Sequence, residues 1–203
     1  MNKLRYCFLV SALFLFPGMV LSQQHVKIKK SEFKTEQELG FKQAWENVKL
    51  GDKYYKAGMG TFREAREHYL FAAKYNPDNA ELNYKIGVCY LFSDDKYETI
   101  KYFTRAFLAD ENVATDIRLL AGRAYQLILE FDEAINQYEK YKDEVDPRRL
   151  AEEIGTINRY IQECENGKEL VANPLRVIIN NIGPEINSVG DDYNPIFAPD
   201  DTA

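Results

Sequence analysis

The chain has 203 residues, enough for one or two domains with a sizeable core, and its apolar (45%) and charged (29%) fractions are those of an ordinary globular protein. A formal net charge of −6 argues against nucleic acid and anionic membrane surfaces as partners. Two histidines leave little material for metal or triad chemistry, and no GxSxG, HExxH, CxxC or P-loop spacing occurs.

Residues 1–22 read as a secretory signal peptide. Lys3 and Arg5 open it, "YCFLVSALFLF" from Tyr6 is its apolar stretch, and Pro17-Gly18 break that stretch before Val20 and Ser22, the small side chains of a cleavage site. The apolar run is shorter than the ~18 residues a membrane span needs, and Cys7 comes too early for lipidation. Cleavage after Ser22 would remove two basic residues and no acidic one, taking the charge to −8. The segment that follows, 23–43, holds "HVKIKKSEFK", whose Lys27, Lys29, Lys30 and Lys34 predict a solvated leader. His25 would then stand third in the chain, where an amine, two amides and an imidazole can enclose Cu(II) or Ni(II) in a square plane. Cyclisation of Gln23 destroys that amine, so no metal and no cofactor are expected.

A repeat dominates residues 44–146. "LGDKYYKAGMGTFREAREHYLFAAKYNPDN" from Leu50, "IGVCYLFSDDKYETIKYFTRAFLADEN" from Ile86 and "AGRAYQLILEFDEAINQYEKYKDEVDP" from Ala121 each place Gly second and Tyr three residues later. The glycines are Gly51, Gly87 and Gly122; the tyrosines are Tyr54, Tyr90 and Tyr125. A second helix follows in each, carrying Ala65, Tyr69, Ala72; then Thr99, Phe103, Ala106; then Ala134, Tyr138, Tyr141. Two antiparallel helices account for the pattern: Gly lets the backbones approach, and the aromatic fills the groove opposite. Thr61-Phe62-Arg63-Glu64 reads as a capping box, and Met59-Gly60 as a two-residue insertion in the first turn. Cys89 and Cys164 are expected as two buried single thiols, and His68 as a surface or edge residue. Asp94-Asp95, Asp191-Asp192 and Asp200-Asp201 fall at turns, where aspartate bonds its own backbone.

These units resemble the tetratricopeptide repeat family, with Gly, Tyr, Ala, aromatic, Ala and Pro (Pro77 in unit one) at set positions. The resemblance implies protein binding on the concave face formed by the first helices. The matching positions are Trp45, Val48, Asp52, Tyr55 and Lys56; Tyr84, Val88, Leu91 and Phe92; and Leu119, Arg123 and Gln126. Some of them are alternatively expected to pack against an N-terminal helix around Phe33–Phe41.

Residues 147–167 predict a capping helix. Asp146-Pro147 starts it, Leu150, Ile154, Ile157, Ile161 and Cys164 form its apolar stripe, and Gly167 is its expected stop. Residues 168–203 read as a linker and the start of a second architecture: after Pro174 the pattern becomes strand-like, with candidate strands at Leu175–Ile182 and near Pro195–Ala198. "DDYNPIFAPD" resembles the opening of a TolB-like β-propeller, and the order of elements resembles a family of exported Bacteroidetes envelope proteins, some OmpA-like and one class, PorE, associated with type IX secretion. The expected fold is therefore all-α: a tetratricopeptide-repeat helical solenoid with a capping helix, followed by the first strands of an incomplete β-propeller. The implied function is a non-enzymatic periplasmic scaffold that binds envelope proteins, with any peptidoglycan contact made by a domain outside this chain. The alternative is the N-terminal part of an exported hydrolase whose catalytic domain lies beyond residue 203.

Overall fold

The computed structural model describes residues 26–93 and 95–175. The signal segment and both candidate strands lie outside them, apart from Leu175, which is exposed. Among the described residues the regular structure is entirely helical. A single turn, α1 (Lys30–Phe33), precedes α2 (Phe41–Ala57), α3 (Phe62–Ala73), α4 (Ala80–Leu91), α5 (Thr99–Ala109), α6 (Ile117–Leu127), α7 (Phe131–Glu144) and α8 (Pro147–Ala172).

Each of α2/α3, α4/α5 and α6/α7 is a closely packed pair, and the pairs follow one another in tandem, with α8 laid on α7. The glycines set the approach within each pair. A Cβ built at Gly51 or Gly87 would stand 2.5 Å from a ring carbon of Tyr69 or Phe103, and one at Gly122 would collide with Tyr138 in the same way. Ordinary carbon contacts are 3.5–4.0 Å, so these rings need the space a side chain would take. Gly and ring are 18 residues apart in unit one and 16 in the other two, and the difference is the insertion at Met59-Gly60, which forms a short 3₁₀ turn over Met59–Thr61. The repeated tyrosine finds a partner on the second helix: Tyr54 stacks on His68 (5.6 Å) and Tyr90 on Tyr102 (5.3 Å). His68, half-buried, also shares a hydrogen bond with Asn47 Oδ1 (2.9 Å).

Asp146 caps α8 as its sequence suggests, its carboxylate accepting from Arg148 N–H (2.9 Å) with Pro147 in the first turn. Three other readings are corrected. Thr61 makes no capping box; its hydroxyl donates backwards, to the Tyr54 carbonyl (2.6 Å) and the Gly58 carbonyl (3.0 Å), and so satisfies the end of α2 instead. Gly167 does not stop α8, which runs on to Ala172. The Gly167 backbone lies against the Phe131 ring, where a Cβ would meet ring carbons at 2.5 Å, so this glycine serves close packing rather than termination. Third, the leader is not a solvated tail. Its lysines are exposed, but Val26, Ile28 and Phe33 between them are 7%, 2% and 0% exposed. Between α1 and α2 the chain is irregular rather than helical. Cys89 and Cys164 are buried free thiols, and burial pushes them up to about 12 and about 11 respectively.

Candidate functional site

The first helices of the three units, α2, α4 and α6, line one side of the stack, and α4 sits between two neighbours. That position buries it almost all round: of its residues, Leu82 through Leu91 are all below one-tenth exposed. The predicted contact surface divides accordingly. Tyr55, Tyr84, Val88 and Val48 are interior residues, so none of them is a free contact side chain, and Leu91 and Leu119 are buried apart from the surface they give to a groove. Tyr84 is held from inside, its hydroxyl donating to Asp116 Oδ1 (2.8 Å). Trp45, Asp52, Lys56, Phe92, Arg123 and Gln126 retain accessible surface.

Part of the buried half is a polar joint between units one and two. Asp52 on α2 accepts from Tyr69 Oη (2.7 Å) and from Lys85 Nζ on α4 (2.5 Å). The Lys85 ammonium also lies over the rings of Tyr55 (5.3 Å) and Tyr69 (5.8 Å). Burial lowers the Lys85 pKa, and Asp52 works against that shift. This geometry fixes α2 against α4 and gives no nucleophile or acid–base pair facing solvent.

The open half is a groove of about 340 Å³ between the C-terminal end of α4, the length of α6 and Tyr160 of α8. Leu91, Leu119 and Leu120 make its floor, and Phe92, Lys96, Leu127, Arg123 and Tyr160 its walls. Of the predicted residues, the groove brings together Leu91, Phe92, Leu119 and Arg123. Gln126 lies beside it and is already engaged: it accepts from Tyr138 Oη (2.8 Å) and donates to Glu163 Oε2 (3.0 Å). Trp45 stands apart, against Phe33 of the leader (5.9 Å between rings). The Arg123 guanidinium is stacked over Tyr160 (4.4 Å), which fixes its position at the rim. Arg123 also donates to Gln126 Oε1 (3.5 Å), and with Lys96 it places two basic side chains above the apolar floor. Sequence reasoning missed Lys96 and Tyr160. Lys96 comes from the α4–α5 turn, and Tyr160 lies off the apolar stripe used to predict α8; only the position of α8 across the end of α6 reveals either.

No group of His, Cys, Asp or Glu among the described residues is arranged to hold a metal ion, and no described helix is long and apolar enough to cross a membrane. No protein-family model matches the chain, and no curated protein matches it. Among solved structures it is similar to the second tetratricopeptide domain of Spaghetti (RPAP3), a structure with a bound HSP90 peptide, SRMEEVD, at 23% identity over 51% of this chain and 93% of that one, with a TM-score of 0.45. It is also similar to MamA protein, at 21% identity over 68% of this chain and 79% of that one, again with a TM-score of 0.45.

Proposed function

We propose that this chain is a non-enzymatic protein-binding scaffold of the tetratricopeptide-repeat type. The observation that carries the reading is the groove between α4, α6 and α8, with a leucine floor and two basic groups, Arg123 and Lys96, at its rim. An apolar floor gives affinity for an extended segment or helix, and the fixed Arg123 gives it direction. Partners with acidic groups flanking apolar side chains fit this charge pattern. In keeping with residues 1–22, the protein is exported, and its partners are proteins of the periplasm or outer membrane, in an assembly of the peptidoglycan-anchored or type IX secretion-associated kind. The propeller resemblance of residues 187–200 supports that placement.

The test is capture of envelope proteins by the chain from Gln23 onward, beside a Lys96→Glu/Arg123→Glu variant with the same melting temperature. Capture by the parent and loss in the variant is the expected result. Equal capture by both would remove the groove from the binding surface, and no capture by either would remove the scaffold reading.

A further inference from the structure

Residues 26–33 are packed as a ligand would be. Val26 and Ile28 are buried while Lys27 and Lys29, each following one of them, are exposed, the alternation of an extended segment lying on a surface. Phe33 is the third anchor, its ring against Trp45 of α2 (5.9 Å) and Tyr75 (5.5 Å). The Phe33 carbonyl accepts from Asn76 Nδ2 (3.0 Å), and the Tyr75 hydroxyl accepts from Thr35 N–H (3.2 Å) and donates to the Gln37 carbonyl (2.6 Å). Lys29 and Glu32 are within electrostatic reach of Glu81 on α4. Trp45 and Glu81 occupy the same place in units one and two, 36 residues apart, as do Val48 and Tyr84 one turn further on. Val48 and Tyr84 are fully buried in the same cluster as Val26, Ile28 and Phe33. The leader thus crosses the first-helix face of two successive units.

Its attachment is that of an appendage. Three apolar side chains anchor it, its one-turn helix has no side-chain N-cap, and residues 36–40 lead exposed into Gly40, whose φ of 88° suits glycine. Elements with so few buried contacts open before the body of a protein does.

We infer that the first-helix face of units one and two is a peptide-binding surface occupied by the chain's own residues 26–33, and that a partner using it does so by displacing them. This rests on the proposed scaffold reading. It names the partner's chemistry for this half of the face: an extended segment with apolar side chains two residues apart, an aromatic five residues beyond, and lysines between. The groove at α8 is separate and keeps its preference for acidic partners.

The probe is a fluorescent peptide of residues 23–36, "QQHVKIKKSEFKTE", titrated against the chain from Gln23 onward and against its Ile28→Ser/Phe33→Ala variant, in which the resident leader is weakened. The peptide should bind the variant at least tenfold more tightly than the parent, and a peptide with Ser in place of Ile28 and Phe33 should not bind. Equal affinity for the two chains, or no binding to a folded variant, overturns the inference. So does a variant that no longer unfolds cooperatively, since the leader would then be integral core. Hydrogen exchange on the parent gives an independent reading: amides of 26–33 should exchange well before those of α4, and exchange of both together overturns the inference. Lys96→Glu/Arg123→Glu should leave peptide affinity unchanged, so failure of partner capture at the α8 groove is distinguishable from failure here.

Discussion

Gly87→Ala tests the central packing claim with one methyl group. Gly87 lies in α4 opposite Phe103, and an added Cβ would stand 2.5 Å from Cδ1 and Cε1 of that ring and 3.3 Å from Cγ. The ring must withdraw by about 1 Å to restore ordinary contact. It has little room: Phe103 is 3% exposed, Tyr84 lies behind it at 6.1 Å between ring centres, and Tyr84 is tied to Asp116. Overpacking of this kind costs about 1–3 kcal/mol. Replacing Gly by Ala in a helix interior returns about 1 kcal/mol, so a net loss of up to about 2 kcal/mol is expected here. Gly155 supplies the control, because nothing stands within 4 Å of a Cβ there. Gly155→Ala should therefore gain up to about 1 kcal/mol from helix propensity alone. Urea denaturation of the chain from Gln23 onward, followed by circular dichroism, should place the parent between the two variants. A Gly87→Ala chain stabilised as much as Gly155→Ala would refute the claim that these glycines are present to admit the rings.

Ile157→Asp should cost on the order of 3 kcal/mol or more, since Ile157 is 1% exposed against α7 and the new carboxylate would be buried without a partner; an unchanged melting temperature would mean α8 is not docked there. Thr61→Val should cost about 1 kcal/mol by removing the hydroxyl that closes α2, while Glu64→Ala should change stability by less than about 0.5 kcal/mol, as at an ordinary surface position. The reverse ranking in denaturation would restore the capping box. Alkaline pH should unfold the chain. Burial, aided by Asp52 for Tyr69 and Asp116 for Tyr84, holds these hydroxyls above the usual tyrosine range, and burial does the same for Tyr138. Above the unfolded value of about 10 the unfolded state binds fewer protons than the folded one, so stability is intact below that pH and falls as pH rises past it. Melting temperatures flat from pH 9 to 11, with tyrosinate absorbance rising in the folded chain, would contradict this.

The repeat was legible because it rests on short-range chemistry. Gly51, Gly87 and Gly122 stand at fixed distances from Tyr69, Phe103 and Tyr138, and the two-residue insertion could be subtracted by eye. Thr61 and Gly167 were misread because each residue type has two uses. A threonine before a helix can cap it or close the preceding one, and a glycine late in a helix can end it or admit a ring; tertiary neighbours decide. Which residues of the expected surface stay accessible was half legible. Arg123 and Phe92 do face a groove, but Tyr84 and Val88 occupy equivalent places on a helix enclosed by neighbours on both sides and by the leader. The lysines of residues 27–34 concealed the alternation beneath them, because net charge weighs side chains without regard to which way they point.

The leader's anchorage also bears on the order of folding. The helix pairs close through connections of a few residues, and neighbouring pairs meet along the chain, which favours rapid formation. Phe33 instead meets Tyr75 and Asn76 more than forty residues away, and it belongs to a buried cluster that draws on both α2 and α4. Closing that longer loop is rewarded only once two units have already assembled. The segment made first is thus among the last to settle, and a competing peptide present during assembly would meet an unoccupied face.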